Sequence, residues 1–475
     1  MDKELLFQAV ERHAPQLTAL SDHIWELAEL SMQEHRSVQA YIRILTQEGF
    51  QVEQNLAGIP TAFLGRFGSG KPVIGILGEF DALSGLSQAP GITEKQPLAA
   101  GGCGHGCGHN LLGAASLGAA IAVKEAIQAG QLPGSIVFYG CPREEGCAGK
   151  AFMARDGMFR DLDAALCWHP GDVNEITTGS NAASLQVEYT FTGIAAHAAD
   201  CPEQGRSALD AAELMNIGVQ FLREHMPRGC SVHYAILDGG GASPNVVQPT
   251  ATLLYMVRGD CVRSAKALLR RVEQCAHGAA MMTDTQVTHR QIDGTSSTVS
   301  NRVLEECLYR NFQSVSLPEY TQEEWRFAEA LKATYFPGKL PGQRTEEDFS
   351  LQQLVAEKTE HGTKALNDFL FPYAPSLHQS PGSSDVGDVS WLTPTAQFTA
   401  VTWTSGSPGH SWQNVSIGRT SIAHKGMLLA AKVLAAAAAD LLTQPELLDK
   451  AKAEFALATA QGYECPLEAD TKPTA

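Results

Sequence analysis

Residues 101–113 read GGCGHGCGHNLLG, with two cysteines, two histidines and six glycines in thirteen positions. Thiolates and imidazoles serve as metal ligands and as nucleophiles, paired thiols close disulfides, and glycine-rich backbone also makes plain turns. Four readings therefore stand open on this stretch. Cys107 and His109 lie two apart on glycine-flanked backbone that can aim both at a common point. A Cys–His nucleophile pair normally draws its members from distant parts of a chain. A Cys103–Cys107 disulfide fits poorly with eleven cysteines, an odd number scattered without a framework.

Other segments deliver acids or histidines just after short apolar runs. Residues 72–77 (PVIGIL) lead into Gly78, Glu79, Phe80 and Asp81, and residues 135–139 (SIVFY) lead on to Glu144 and Glu145. Residues 163–168 (DAALCW) lead into His169 and Pro170, and His410 sits in the turn GSPGHSW after the apolar run 396–403. Each signal is weak alone, since a Glu-Glu pair is usually solvated surface and a His before Pro is usually a turn residue. Behind a strand, however, one acid can bind metal while its neighbour faces substrate as a base. The set offers one thiolate, one carboxylate and three imidazoles, enough for two divalent ions sharing a bridging ligand and a water. Thiolate with imidazole favours zinc, and the carboxylate leaves manganese open.

What must position these side chains is a set of short strands. Runs this short and apolar throughout suit strands buried on both faces of a parallel sheet. Helical patterns such as residues 111–129 (LLGAASLGAAIAVKEAIQA) lie between them. That alternation predicts an α/β fold whose ligands gather beyond the carboxyl ends of the strands. From Ser184 the texture changes: Val187, Tyr189 and Phe191 alternate with Gln186, Glu188 and Thr190, as in an antiparallel strand buried on one side. A helix over 208–222, strands over 231–237 and 252–257, a helix over 264–277 and a strand over 286–292 complete a βαββαβ order. The expected division is 1–183 for the first part of a catalytic domain, 184–300 for an inserted lid and dimerisation domain, and 301–475 for the second part. Weak periodicity over 315–380 reads as a surface insertion with one or two short helices.

The chain has 475 residues, 44% hydrophobic and 18% charged, with a net charge of −17. Such a balance offers no basic face for nucleic acid or an anionic membrane, while one local arginine can still dominate a pocket for a small anionic substrate. Residues 1–30 read as an amphipathic helix rather than a signal sequence. The stretch MLLAAKVLAAAAADLL from Met427, broken by Lys432 and Asp440, reads as a buried helix rather than a membrane span. The expected location is the cytoplasm, without nucleic-acid or membrane partners.

In their order, these motifs resemble the M20 metallopeptidase family, and more closely its amidohydrolase branch, which cleaves N-acyl amino acids. The resemblance runs through Gly-Glu79-Phe-Asp81-Ala-Leu, Gly-His105-Gly-Cys107-Gly-His109-Asn, Glu144-Glu145-Gly, Trp-His169-Pro, Gly-Ile-Ala-Ala-His197-Ala-Ala and Gly-His410. It extends over nearly the whole chain with Ser-Pro-Asn245-Val-Val, Ser384-Asp385-Val-Gly-Asp388-Val-Ser-Trp and Gly-Arg419-Thr-Ser-Ile-Ala-His424-Lys-Gly-Met. It implies a larger zinc-peptidase-like catalytic domain, with a mixed central sheet flanked by helices, plus the smaller α+β lid. It implies two divalent ions per chain, Mn²⁺ or Zn²⁺, held by Cys107 (bridging), His109, Glu145, His169 and His410. Glu144 would be the general base, with Asp81 supporting the metal site. His197 would reach an active site, often that of a partner subunit, when the lid closes, and Asn245 would contact substrate. Arg206 and Arg258 are candidates to hold a substrate carboxylate, a surface salt bridge being the ordinary alternative for each. Two positions depart from the family pattern: Glu79 and Asn110 stand where Asp is usual. Neither is an expected ligand.

The activity this implies is hydrolysis of an N-acyl amino acid amide, with cleavage of p-aminobenzoyl-glutamate to p-aminobenzoate and glutamate as the first case to test. The implied assembly is a homodimer through the lid, or a hetero-oligomer with a homologous A-type subunit. Two other readings compete. A binding or organising subunit with little activity alone is opposed by the competent side chain at every metal-site position. A thiol hydrolase using Cys107 without metal predicts inactivation by alkylation and indifference to chelators, and leaves five strand-end ligands as coincidence.

Overall fold

Alternation along the buried strands divides the larger part of the molecule into three layers. The computed structural model describes residues 2–473 apart from Cys147, Pro337, Arg344, Glu346 and Glu347. Helices α1 (Glu4–Leu27) and α2 (His35–Gln47) precede strands β1 (Gln51–Gln54), β2 (Phe63–Gly68) and β3 (Val73–Glu79). Then come α3 (His109–Gln128), β4 (Ser135–Cys141), α4 (Gly149–Arg155), β5 (Ala164–Gly171) and the two-residue strands β6 (Glu175–Ile176) and β7 (Ser180–Asn181). The inserted unit comprises β8 (Ala183–Thr192), α5 (Ala208–Leu222), β9 (Ser231–Asp238), β10 (Thr250–Gly259), α6 (Val262–Thr283) and β11 (Gln286–Thr295). The chain returns through α7 (Arg302–Ser314), α8 (Gln322–Lys332), α9 (Phe349–Lys358), β12 (Gln379–Ser380), α10 (Val386–Ser390) and β13 (Thr395–Val401). It finishes with α11 (Trp412–Ile417), α12 (Ser421–Thr443) and α13 (Pro445–Ala458).

The central sheet has the order β1-β2-β4-β3-β5-β13-β6. Its middle strands β4, β3, β5 and β13 are parallel, and its outer pairings are antiparallel. Ile74 and Ile76 of β3 pack with Leu17, Leu117 and Leu434 of α1, α3 and α12, whereas Val73 and Leu77 pack with Phe152 of α4 and Val386 of α10. In β4 and β5, Phe138 and Trp168 join the first core, and Tyr139 and Cys167 the second. Both faces are dry, which is why these strands read as unbroken apolar runs. Each fully buried Leu, Ile or Phe contributes about 1.5–3 kcal/mol, so the strand ends are anchored in buried cores on both faces of the sheet.

Sequence periodicity predicts a helix from residue 111, but α3 begins at His109. Gly108, at φ +75°, turns the chain into it. A Cβ at Gly113 would lie 2.2 Å from Tyr41 Oη and 2.7 Å from the Glu79 carbonyl oxygen, so α3 lies directly on the end of β3. α3 and α12 are long and apolar enough to cross a membrane by composition, yet 89% and 83% of their apolar windows are buried inside the fold. They are apolar all round because protein surrounds them.

The inserted unit follows the βαββαβ order, with antiparallel strands arranged β11-β8-β10-β9. Val187, Tyr189 and Phe191 of β8 meet Met215 and Val219 of α5 and Leu268 and Val272 of α6 in a core separate from the other two. The two chain crossings into this unit are register partners: Ser184 pairs with Thr295 and Leu185 with Gly294. Strand β9 lies at an edge and leaves Tyr234, Ile236 and Leu237 exposed.

Residues 315–380 do carry two short helices, α8 and α9, but the segment is more than a surface addition. Ala328, Leu331, Ala365 and Leu366 pack with Val401, Trp403, Ile417 and Ile422, and Leu351, Val355 and Phe371 pack with Val173. Its apolar residues are too scattered to show a period, yet they build small cores beside β5 and β13.

Candidate metal centre and hydrolytic site

Four element ends converge beyond the carboxyl edge of the central sheet. β3 ends in Glu79 and is followed by Asp81, α3 starts with His109, β4 leads to Glu144 and Glu145, and His169 lies on β5. The loop after β13 carries His410. Arg143, at φ +69°, fixes the turn that presents Glu144: its N–H donates to Glu34 Oε1 at 3.1 Å and its guanidinium lies 5.3 Å from the Phe152 ring centroid.

Asp81 organises the cluster. Its Oδ1 lies 3.0 Å from His109 Nδ1, and its Oδ2 accepts from Ser31 Oγ at 2.8 Å and from the Glu145 N–H at 2.9 Å. With Nδ1 donating to Asp81, a neutral His109 presents Nε2 as a lone pair. His169 is set the same way, its Nδ1 lying 2.7 Å from the Pro170 carbonyl oxygen while Nε2 lies 3.5 Å from Cys107 Sγ. His410 Nε2 is 3.4 Å from Glu145 Oε2. Cys107, His109 and His169 form one group whose candidate ligand atoms all lie within 4.8 Å, and Cys107, Glu145 and His410 form a second. The five residues singled out as ligands thus make two triads sharing one sulfur. His109 Nε2 and Glu145 Oε1 are buried without a hydrogen-bond partner. Two orphaned acceptors aimed into one space are what a cation site requires.

Burial sets the protonation of this cluster. It pushes the Cys107 thiol up to about 12, so the sulfur is no free thiolate near neutrality. Burial, reinforced by the charge of His109, takes His169 down to about 4 and keeps its imidazole neutral. Glu144 is raised well above the usual carboxyl range by burial, then by Glu79 and Asp385. Cys103 and Cys107 are both free, so no disulfide joins them.

The remaining predicted residues lie on or beside the inserted unit. His197 is exposed, and its Nδ1 accepts from the N–H groups of Ala199 (3.2 Å) and Asp200 (3.1 Å), which leaves the proton on Nε2. Asn245 is exposed on the neighbouring loop, its carbonyl accepting from the Ala198 N–H at 2.9 Å. No hydrogen bond among the described residues joins either side chain to the two triads. Arg206 is committed locally, its Nε 2.7 Å from Asp284 Oδ2. Arg258 reaches out of the unit, donating through Nη1 to Ser383 Oγ at 2.6 Å. Ser383 lines a cavity of about 590 Å³ that His169, Ser180, Lys339, His378 and Gln397 also line.

Comparison with known proteins identifies the family and the fold. The family described as Peptidase family M20/M25/M40 matches residues 75–235. The chain is 42% identical to the B subunit of p-aminobenzoyl-glutamate hydrolase from Escherichia coli (strain K12), across 98% of this chain and 97% of that one. The chain belongs to the M20 peptidase family. It is also 26% identical to Xaa-Arg dipeptidase of Mus musculus, covering 94% of this chain and 90% of the relative. A crystal structure of an aminobenzoyl-glutamate utilization protein from Klebsiella pneumoniae has the same fold, with a TM-score of 0.62 at 17% identity, covering 92% and 99% of the two chains. As an M20 protein, the chain is a hydrolase that acts on amide bonds.

Three positions near the triads were not among the expected site residues of this M20 chain. Glu79 Oε2 lies 3.3 Å from His109 Nε2, and Glu79, His109 and Glu144 form a third close group. Lys150 Nζ lies 2.6 Å from Glu79 Oε1 and 2.6 Å from Asp385 Oδ1, with all three side chains buried. Asp385 belonged to a recognised motif, but nothing in the sequence linked it to Lys150. Asn110 behaves as an ordinary tie, its Nδ2 donating to Ser21 Oγ at 3.0 Å and to the Gly418 carbonyl at 3.2 Å.

Proposed function

We propose that this chain hydrolyses the amide of an N-acyl amino acid with two divalent ions, Mn²⁺ or Zn²⁺, and that p-aminobenzoyl-glutamate is the substrate to try first. The observation that carries this reading is the pair of triads sharing Cys107 with Glu144 beside them. Cys107, His109, Glu145, His169 and His410 would hold the ions, which when bound lower the pKa of a water and polarise an amide carbonyl. The spacings support the fit. Zn–N near 2.0 Å and Zn–S near 2.3 Å put tetrahedral ligand atoms roughly 3.3–3.6 Å apart, and the Cys107–His169 and His410–Glu145 pairs are 3.5 and 3.4 Å apart.

Glu144 supplies proton transfer. Placed beside both triads, Glu144 would take a proton from water as a base and, once protonated, return it as an acid to the departing nitrogen. The acyl carbon keeps the water oxygen, and the C–N bond breaks as the amine gains that proton. His197, its Nε2 proton free to donate, would hydrogen-bond the developing oxyanion on closure, with Asn245 beside it. Arg258, tied to a cavity wall, is better placed for a substrate carboxylate than Arg206.

The relative from Escherichia coli is named as one subunit of a hydrolase, which supports an oligomer here too. The exposed edge of β9 suits strand pairing with a second chain, giving a homodimer or a hetero-oligomer with a homologous A-type subunit. We place its work in the cytoplasm, where thiols such as Cys107 stay reduced. The same name favours a second reading, an organising subunit with little activity alone.

One preparation decides between them: metal content, with hydrolysis of p-aminobenzoyl-glutamate before and after chelation and for Glu144→Ala. About two ions per chain, activity restored by Mn²⁺ or Zn²⁺, and a variant that keeps metal but loses turnover would support the hydrolase. Metal binding without cleavage of any N-acyl amino acid moves the organising subunit to the front. A chain that binds no metal overturns the central reading.

A further inference from the structure

The structure points to Glu79 as a sixth protein ligand of the metal centre, and to Lys150, braced by Asp385, as the positioning residue that aims it. This rests on the dinuclear reading above. Glu79 Oε2 and His109 Nε2 are 3.3 Å apart, close to the spacing of the ligand pairs already assigned. Yet His109 Nε2 has no hydrogen-bond partner. The two atoms are therefore close without the alignment of a hydrogen bond. With its Nδ1 taken by Asp81, a neutral His109 offers Nε2 as a lone pair, and so does a carboxylate oxygen. Oε2 and Nε2 form an ion pair only if His109 is protonated, and a divalent ion between them would take the place of that proton.

Lys150 explains why Glu79 stays there. Its ammonium grips Glu79 Oε1 and Asp385 Oδ1, both at 2.6 Å, while its own backbone N–H donates to Asp385 Oδ2 at 2.8 Å. Lys150 is fully buried, and the side chains of Glu79 and Asp385 are 5% and 1% exposed. One oxygen of Glu79 is thus fixed, which leaves Oε2 to face His109 and Glu144. The charge balance agrees: one ammonium serves two buried carboxylates, and the surplus negative charge lies where a divalent ion would offset it.

The test is a titration of metal-free protein with Zn²⁺ alone, read by calorimetry, for wild type, Glu79→Gln and the charge-balanced double variant Lys150→Met with Asp385→Asn. Wild type should take up two ions. Glu79→Gln should weaken one of them at least 10-fold, and the double variant should weaken the same one by a smaller factor. Co²⁺-loaded Glu79→Gln should show altered d–d bands, with the thiolate charge-transfer band from Cys107 retained. Metal-free Glu79→Gln should melt with wild type, since Lys150 keeps Asp385, and its deficit should show only when metal is added. If Glu79→Gln binds two ions with wild-type affinity and spectrum, or if it is already unstable without metal, Glu79 is a structural residue and the inference falls. If wild type binds no metal, the dinuclear reading fails first.

Discussion

His109 and His197 are assigned to one reaction, yet they sit in opposite mechanical circumstances. His109 is fully buried at the first turn of α3, its Nδ1 fixed by Asp81 and its helix held against β3 at Gly113. His197 is exposed on a loop, and its ring is held by two backbone N–H groups of that same loop. Core packing thus sets the half proposed to hold the ions in place before any ligand arrives. The half proposed to meet substrate is left adjustable, as suits a group that would act on closure.

The proposed division can be broken most directly at Glu144. Glu144→Gln should lower kcat by roughly 10²–10⁴-fold with metal stoichiometry unchanged; loss of metal in that variant would make Glu144 a ligand instead. His197→Ala should cost about 10²–10³-fold in kcat if it donates to an oxyanion, again with wild-type metal content. A change in metal affinity there would erase the contrast between the two histidines. Asp81→Asn should leave the inserted unit untouched and weaken metal binding roughly 10–100-fold, the usual cost of losing a carboxylate behind a ligating histidine. Hydrogen exchange under chelation sharpens the same point, with protection lost at the start of α3 and kept in β8 and β10. The smallest effect belongs to Arg206→Met, which removes an exposed pair and should shift stability by less than about 0.5 kcal/mol with unchanged KM. A raised KM would return Arg206 to the substrate pocket.

The central strands were legible because burial on both faces writes itself as a continuous apolar run, and β8 because burial on one face writes itself as alternation. The same reading picked out the residues of both triads, since they lie at or beside the ends of strands and the start of a helix. The start of α3 was misread by two residues because Gly108 hides a cap. Lys150 was invisible for a different reason. Within Gly149–Arg155 it looks like any solvated lysine, and its partner Asp385 is 235 positions away. The cores built by residues 315–380 escaped similarly, because Leu331, Leu366 and Phe371 belong to no common period.

The pairing of Ser184 with Thr295 makes the inserted unit a cassette. A chain segment whose two ends already lie side by side can be lifted out, lengthened or exchanged without stretching the sheet it leaves behind. The unit could therefore be exchanged in a single recombination while the strands of the central sheet kept their own pairings. Exchange of that cassette would alter the surface carrying His197, Asn245 and Arg258 and leave the residues of both triads in place.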